Sequence, residues 1–458
     1  MIAPPITPNA IAYAWDRLWD IAGADELDTP RIYGPADAAL PRPGVIIIPA
    51  SPDAWRTLLQ RHDRSLDWLP AEALFPPGYP RPFDDSLPIL FGGDAPRENP
   101  PVWMRADGSI VFQIDFLSAT LFMLTRWEEI VLPDRDEHDR FPAAASVAFR
   151  QGFLDQPIID RYAIILRAWL HILRPGWTPP RPHLHLRLSH DIDHLRRFRS
   201  TNEAIRQTAR DLLRRHRLDR FGEDMRDFAL GRLWLTRNPY LTAIDHLAQI
   251  SEDAGLRSVF YIMAAEPGDI DEGFDPATPA LLHRLHRLAD AGHIVGFHPG
   301  YDAYRDARRY QSEKTKLETI LGKQIVHARQ HYLRFQVPET WRIAQESGIL
   351  EDATLGYPDH AGFRCGTSHP FPVFDILENR ELTLVEHPLH VMDGTLRRYQ
   401  ELTPAQSLER LRFLARRVAE VGGDFHLLWH NIVTTHDRRP WFDVYRQFIY
   451  DYSRNTLL

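Results

Sequence analysis

Residues 183–194 read His-Leu-His-Leu-Arg-Leu-Ser-His-Asp-Ile-Asp-His. The first seven of these residues predict a short apolar β-strand, and the last five place two carboxylates between histidines at its end. In folds built from parallel strands, chemistry takes place where the strands end and the loops begin. This stretch therefore indicates both a strand of a parallel sheet and a candidate site at Asp191 and Asp193.

The rest of the second part of the chain continues this arrangement, because short apolar strands alternate with amphipathic helices. Alternation of β and α elements predicts a parallel sheet with helical crossovers. About seven such units favour an α/β fold with a distorted (β/α)7-type barrel, closed or nearly closed, over an open sheet. The other candidate strands are residues 258–263, 294–297, 325–329, 353–356, 383–386 and 425–429. The candidate helices are residues 202–215, 241–254, 279–291, 308–321, 338–347, 404–421 and 441–452, and residues 196–236 form a predicted insertion.

A proline-rich stretch at residues 175–182, Pro-Gly-Trp-Thr-Pro-Pro-Arg-Pro, separates this region from what precedes it. Four prolines in eight residues are incompatible with a helix or a central strand, so we predict a stiff linker. It divides the chain into an N-terminal accessory domain, residues 1–174, and a C-terminal domain, residues 183–458. The N-terminal domain is predicted to be a smaller α/β unit, with helices at residues 10–22, 115–130 and 158–173 and strands at residues 44–48 and 109–114.

The composition excludes several classes of protein. One cysteine in 458 residues rules out a disulfide framework and a cysteine-cluster metal site. A net charge of −8 argues against a nucleic-acid partner, and the basic stretch at residues 196–220 is interpreted as a solvated helix face. No run approaches the roughly 20 apolar residues of a membrane span. The first 23 residues lack the features of an export signal, so a cytoplasmic protein is expected, of unknown oligomeric state.

Histidines recur at the predicted strand ends. Five of the seven strand ends carry at least one, whereas a single histidine at such a place is most often a hydrogen-bonded scaffold residue. Imidazole and carboxylate together form the ligand set of Zn²⁺ and related divalent ions, so the pattern predicts a metal site. The histidines concerned are His190 and His194, His298, His331, His387 and His390, and His430.

The order and spacing of these motifs resemble those of the polysaccharide deacetylase family, also known as the NodB homology family or carbohydrate esterase family 4. The resemblance covers nearly the whole chain and points to a subgroup with an uncharacterised N-terminal domain. It implies a metal-dependent hydrolase, with Zn²⁺ as the expected cofactor, that removes N-acetyl groups from a sugar or polysaccharide. At the first motif, residues 189–193, it implies that Asp191 is the general base and Asp193 a metal ligand.

Two further motifs show where this chain departs from the family pattern. Residues 292–299 supply His298 as a second implied metal ligand, but the position four residues later, where the family has another histidine, is Asp302. In the third motif Arg329 matches the arginine that orients the base, and His331 stands where proline is usual. For the third ligand we favour His331, because imidazole is the better match for a lost histidine, over Asp302, and a third site filled by water stays open as the remaining alternative.

The last motif, Leu-Trp-His at residues 428–430, implies that His430 is the general acid that protonates the leaving amine. The family usually has an acid beside this histidine that tunes it. The sequence does not place that acid, and three residues stay open as candidates: Asp352, Asp359 and Glu386.

The substrate implied by the resemblance is an N-acetylated carbohydrate. Tyr332, the aromatic residue of the third motif, and Arg364, in the loop at residues 362–368, are candidate substrate-binding residues, although Arg364 could instead pair with an acid. Two other functions stay open: a barrel amidohydrolase for a small non-sugar amide, and a catalytically degenerate barrel that binds a glycan. The lost histidine of the second motif favours the degenerate barrel, whereas the retained residues of the other motifs argue against it.

Overall fold

A computed structural model of the chain describes residues 6–61, 64–93, 100–195, 238–434 and 438–456. The predicted insertion at residues 196–236, its helix at residues 202–215 and its basic stretch lie outside the described residues. The β-strands are β1 (Arg31–Tyr33), β2 (Val45–Ile47), β3 (Trp68–Leu69), β4 (Leu87–Pro88), β5 (Val102–Met104), β6 (Ile110–Phe112), β7 (Leu184–Ile192), β8 (Ser258–Met263), β9 (Ile294–His298), β10 (His327–Ala328), β11 (Glu351–Asp352), β12 (Phe371–Asp375), β13 (Arg380–Glu386), β14 (Val391–Met392) and β15 (Gly423–Leu428). The α-helices are α1 (Pro8–Ala22), α2 (Ala54–Gln60), α3 (Phe116–Leu124), α4 (Trp127–Val131), α5 (Val147–Gln151), α6 (Ile158–Leu173), α7 (Pro239–Asp253), α8 (Pro279–Asp290), α9 (Ala307–Leu321), α10 (Glu339–Glu346), α11 (Pro404–Val421) and α12 (Arg439–Ser453).

The second part of the chain is built on a nine-stranded sheet. Its strand order is β12-β13-β11-β10-β9-β8-β7-β15-β14, and every neighbouring pair is parallel except β12 with β13. Helices α7, α8, α9, α10 and α11 each lie between two of the parallel strands in the sequence, as crossover connections require. The prediction of a mixed α/β fold with a large parallel sheet is confirmed.

The four residues between β13 and β14 connect opposite ends of this strand order, because β13 lies beside the edge strand β12 and β14 is the other edge strand. The backbone N–H of His387 donates to the carbonyl of Asp352, the last residue of β11, at 2.8 Å. The N–H of His390 donates to the carbonyl of His426, on β15, at 3.2 Å. Among the described residues no ladder pairs β13 with β14, so hydrogen-bonded closure of the predicted barrel is not shown.

The register of the parallel strands brings their carboxyl ends to one edge. Asp191 of β7 pairs with Tyr261 of β8, and Met263 of β8 pairs with His298 of β9. A Cβ atom at Gly296 of β9 would lie 2.6 Å from the Tyr261 ring. Glycine at this position therefore leaves room for the buried Tyr261 ring beside the strand ends that carry Asp191 and His298.

The first part of the chain forms a four-stranded sheet of order β1-β2-β6-β5, in which only β5 is antiparallel to its neighbour. Helices α1, α3 and α6 pack against one another. The single helix predicted over residues 115–130 is two helices, because Arg126 has a left-handed backbone with φ of 51° between α3 and α4. The Arg126 side chain is fully buried and donates to Glu128 and Glu129 of α4, which stabilises this turn.

The two parts of the chain pack directly on one another. The Tyr13 hydroxyl of α1 donates to the carbonyl of Pro372 at 2.8 Å, and the Tyr13 ring stacks on Phe374 of β12 with 5.0 Å between centroids. Buried apolar side chains from both parts form one continuous core. Residues 175–182 contain neither helix nor strand, and the domain division drawn there stays a prediction. No helix in the described ranges is long and apolar enough to cross a membrane.

Candidate active site

Three predicted metal ligands meet at the carboxyl edge of the large sheet. Asp193 follows β7, His298 ends β9 and His331 lies in the short turn after β10. Each offers one ligand atom, these atoms lie within 4.8 Å of one another, and all three residues are buried. A carboxylate with two imidazoles is a donor set that suits Zn²⁺ and related divalent ions, and three protein ligands are the number that catalytic zinc sites use.

The hydrogen bonds of His298 show that this cluster suits a cation. Its Nδ1 donates to the carbonyl of Arg329 at 2.6 Å, which leaves Nε2 with a free lone pair. That Nε2 faces Oδ1 of Asp193 at 3.1 Å, and both atoms are buried without a hydrogen-bond partner among the described residues. Two facing acceptors repel one another unless a cation or a proton lies between them. The residues present therefore fit a divalent ion.

The same geometry appears in the pKa values of the pair. Burial alone would lower the pKa of His298, but the carboxylates of Asp191 and Asp193 raise it above its usual value. Burial alone would raise the pKa of Asp193, but the neighbouring imidazoles of His298, His430 and His331 hold it well below its usual value. Both shifts have the same cause: the carboxylate oxygens of this cluster stabilise a positive charge beside them.

Asp271 orients the third ligand, and the sequence did not indicate it. The Nδ1 of His331 donates to Oδ1 of Asp271 at 2.8 Å, which leaves the His331 Nε2 for the cluster. Asp271 is itself fixed, because the backbone N–H of Tyr301 donates to it at 3.1 Å. Burial alone would raise the pKa of Asp271, but the hydrogen bond from His331 lowers it below its usual value. The carboxylate thus stays charged beside the imidazole.

Asp302, the alternative third ligand, lies outside the cluster. Its side chain is 61% exposed, Oδ1 pairs with Arg334 at 3.1 Å and Oδ2 pairs with Arg309 at 3.3 Å. The backbone after His298 turns into a short 3-10 segment, which carries Asp302 to the surface rather than back to His298. The structure therefore brings His331, and not Asp302, to Asp193 and His298.

Asp191 and Arg329 form a buried ion pair beside the cluster. Nη1 of Arg329 lies 3.2 Å from Oδ1 of Asp191, and Oδ2 of Asp191 lies 3.9 Å from Nε2 of His298. The guanidinium is fully buried, donates to Ser189 Oγ at 2.7 Å and to the carbonyl of Ala353 at 2.8 Å, and stacks over the Tyr261 ring. This arginine holds one oxygen of Asp191 in place and leaves the other free.

His430 faces the same site and is held by an acid that the sequence did not indicate. Its Nδ1 lies 2.5 Å from Oδ1 of Asp393, and its Nε2 lies 3.6 Å from Oδ2 of Asp193. Burial alone would lower the pKa of His430, but Asp393, with Asp193 and Asp191, raises it to about 10. The three acids considered from the sequence have other partners: Asp352 bonds Thr354, Asp359 bonds Ala143, and Glu386 bonds Trp341 and Leu355.

A cavity of about 240 Å³ gives access to these groups. Asp191, Asp193, His331 and His430 line it, and so does Tyr332. Tyr332 has a left-handed backbone with φ of 60°, an uncommon conformation for an aromatic residue, which turns the chain directly after His331. The structure thus brings Tyr332 to the cavity in which a substrate would bind.

Arg364 lies elsewhere. It is 1% exposed, donates to the two oxygens of Glu129 at 2.9 and 2.6 Å, and donates to the carbonyl of Gly356 at 2.9 Å. The sequence left two roles open for Arg364, contact with a substrate and pairing with an acid, and its contacts in the structure are those of the second role. The structure brings seven of the predicted site residues together: Asp191, Asp193, His298, Arg329, His331, Tyr332 and His430.

Comparisons with known proteins add little to this geometry. Residues 68–175 match the model of a family of unknown function, DUF7033, and no curated protein gives a significant match. A Mycobacterium smegmatis protein assigned as a polysaccharide deacetylase is 17% identical, with 60% of this chain and 88% of that chain covered and a TM-score of 0.39. PuuE allantoinase is 12% identical, with 62% and 90% covered and a TM-score of 0.38. A mutant of a CE4 family pseudoenzyme with restored enzymatic activity is 10% identical, with 61% and 65% covered and a TM-score of 0.30.

Proposed function

We propose that this chain is a metal-dependent hydrolase that removes the N-acetyl group from an acetamido sugar, giving acetate and an amine. One observation carries the proposal. At one cavity, a carboxylate and two imidazoles with ligand spacing lie beside a carboxylate that an arginine holds, Asp191, and a histidine that a carboxylate holds, His430. Metal ligands, a base and an acid in one pocket are the parts that hydrolysis of an unactivated amide requires.

Asp193, His298 and His331 would hold the ion, most simply Zn²⁺. When bound, a divalent ion supplies a Lewis acid that polarises the acetamide carbonyl. The chain fixes this ligand set through the bonds behind it, from His298 to the Arg329 carbonyl and from His331 to Asp271. Such bonds fix the ring orientation and the tautomer of each imidazole.

Asp191 is the general base of the proposed reaction. Arg329 holds its Oδ1, so Oδ2 is free to take a proton from the water that attacks the acetamide carbonyl carbon. This Oδ2 lies 3.9 Å from the His298 Nε2 that faces the ion site, which supports a base beside the carbonyl that the ion would polarise. Arg329 in turn keeps the carboxylate from rotating, because Ser189 and Ala353 fix the guanidinium.

His430 is the general acid. Its Nδ1 donates to Asp393, so Nε2 carries the second proton of the imidazolium and faces the cavity. The raised pKa keeps this ring protonated at neutral pH until the departing nitrogen needs a proton. After the water oxygen has bonded to the carbonyl carbon, this proton passes to the nitrogen as the bond between carbon and nitrogen breaks, which releases acetate and the amine.

Metal analysis combined with acetate release tests the proposal. The purified full chain, loaded with Zn²⁺, is assayed on a panel of N-acetylated sugars, on an N-acetylated amine without a sugar, and on allantoin. Asp191→Asn is expected to keep the metal and to lose about 10²–10⁴-fold in rate, whereas Asp193→Ala is expected to lose the metal. Asp302→Ala removes a nearby carboxylate outside the cluster and serves as the matched control.

Turnover of the sugars alone supports a sugar deacetylase, and turnover of the non-sugar amide alone supports the amidohydrolase alternative. A wild-type chain that binds metal in stoichiometric amount but hydrolyses nothing supports the degenerate barrel. If the wild-type chain binds no metal, or if the Asp191 and Asp193 variants both retain metal and full activity, the assignment of the site is wrong.

A further inference from the structure

One wall of the cavity carries positive charge that the proposed reaction does not use. The chain forms a short π-helical segment, Thr395–Tyr399, two residues after Asp393. Three side chains of this segment line the cavity: Arg397, Arg398 and Tyr399. Because Asp393 holds His430, this segment lies directly beside the general acid.

The positive charges of Arg397 and Arg398 on this wall are not balanced by the carboxylates that line the cavity. Among the described residues, none of the three lining carboxylates is left over for this wall: Asp191 pairs with Arg329, Asp393 pairs with His430, and Asp193 belongs to the proposed ion site. Two further guanidinium groups line the cavity: that of Arg140 is neutralised by Asp136, with Nε 2.8 Å from Oδ2, and that of Arg438 also has an interaction partner.

Arg397 and Arg398 have no such partner. In the parts of the chain that the structure describes, neither guanidinium lies within ion-pair distance of a carboxylate, and Arg397 Nε is buried without a hydrogen bond. Arg398 is exposed and contacts the Tyr399 ring, with its guanidinium carbon 5.6 Å from the ring centroid. Two adjacent cations are therefore left without an anion at the mouth of the site.

A partly buried guanidinium without a counter-ion or a hydrogen-bond acceptor is unfavourable. The arrangement is not a consequence of general basicity, because the chain as a whole has a net charge of −8. Guanidinium groups offer a planar fork of donors that matches the oxygens of phosphates and carboxylates. An anionic group on the ligand would supply both the missing charge and the missing acceptors.

We propose that the acetamido sugar bound here carries an oxyanion, either a phosphate or a carboxylate, and that Arg397 and Arg398 bind it. The inference rests on the proposed function, because the acetamide must lie between Asp191 and His430 for the anion to reach this wall. Arg140 stabilises this wall and is not proposed to bind the anion, because its Nη2 donates to the Tyr399 hydroxyl at 3.2 Å.

Turnover of matched sugars tests this inference. The zinc-loaded full chain is assayed on N-acetylglucosamine, N-acetylglucosamine 1-phosphate and N-acetylmuramic acid, which are neutral, phosphorylated and carboxylated. At least one anionic sugar is expected to exceed the neutral sugar about tenfold or more in kcat/KM, and the preferred one identifies the oxyanion. Arg397→Gln and Arg398→Gln are each expected to reduce that ratio about tenfold or more, the range for a hydrogen bond to a charged group. Arg446→Gln removes an exposed arginine of α12, 64% exposed, and is the control for net charge.

Binding of glucosamine 1-phosphate, measured by calorimetry, separates the failure of this inference from that of the proposed function. This ligand has no acetyl group and needs no turnover. Binding that the arginine variants abolish, without acetate release from any sugar, supports the anion site and refutes the deacetylase. Equal kcat/KM for neutral and anionic sugars overturns the anion site and leaves the deacetylase intact. Binding that persists in both variants also overturns the anion site, because the phosphate then lies elsewhere.

Discussion

The carboxylate of Asp271 is expected to control metal affinity although it does not contact the metal. It accepts a hydrogen bond from His331 Nδ1 at 2.8 Å and another from the Tyr301 backbone at 3.1 Å, so it fixes both the ring and the loop. Removal of such a partner typically weakens metal binding about 10–100-fold, which corresponds to about 1.4–2.8 kcal/mol. Asp271→Asn keeps one acceptor oxygen and is expected to weaken metal binding about tenfold. Asp271→Ala removes both oxygens and is expected to weaken metal binding about a hundredfold.

Competition with a chromogenic chelator at pH 7 measures these affinities, and thermal unfolding of the metal-free variants shows that each is folded. The expected order of decreasing affinity is wild type, Asp271→Asn, Asp271→Ala and His331→Ala. Asp302→Ala is the matched control, because it removes an acid that pairs with Arg334 and Arg309 on the surface. If Asp302→Ala loses the metal while the His331 and Asp271 variants retain it, the third ligand is Asp302 and the reasoning from geometry is refuted.

Three further changes test other contacts. His430→Ala is expected to slow hydrolysis of an acetamide far more than that of an activated acetate ester, because a good leaving group needs no proton; equal losses in the two rates would assign His430 another task. Glu129→Gln leaves the buried Arg364 without a carboxylate and Arg126 with Glu128 alone, and is expected to lower the free energy of unfolding by about 3 kcal/mol at pH 7, measured by denaturant titration. Burial alone would raise the pKa of Glu129, but the two arginines lower it from 4.5 to about 2. Its contribution to stability is therefore complete above about pH 4.5 and is lost as the pH falls toward 2, so the difference between wild type and variant must shrink from pH 7 to pH 3.5; a constant or growing difference would contradict this. Gly296→Ala places a methyl group 2.6 Å from the Tyr261 ring and is expected to cost about 1–3 kcal/mol of stability, measured by thermal unfolding; wild-type stability would show that the ring is free to move.

Elements with a strong periodic pattern could be predicted from the sequence nearly to the residue. The strand at residues 258–263 and the helices at residues 158–173 and 404–421 have the same bounds in the structure. The strand predicted at residues 353–356 is instead Glu351–Asp352, because pairing of Glu351 with His327 of β10 sets where that strand lies. Such a two-residue strand has no period of its own and depends on its neighbours.

Some residues of the candidate site could likewise be predicted from the sequence, and others could not. The residues at strand ends could be found because an ionisable side chain directly after an apolar run is visible in the sequence. Asp271 and Asp393 were missed for different reasons. Asp393 follows β14, a strand of two residues that the pattern did not reveal, and Asp271 lies in a loop after β8 in which no motif of the sequence marks it.

The part of the chain before the proline-rich stretch also builds the cavity, which no motif in it indicated. Arg140, only 3% exposed, lines the cavity and donates to the carbonyl of Tyr332 at 3.0 Å. His138 Nδ1 lies 2.9 Å from the Tyr301 hydroxyl, and its ring packs edge-on against Tyr332. These contacts hold the turn that carries His331, whose left-handed backbone at Tyr332 needs such support. The segment that matches a family of unknown function, residues 68–175, therefore supplies Arg140 to the lining of the cavity and supports the turn that carries His331, so a fragment that begins at residue 183 would lack both.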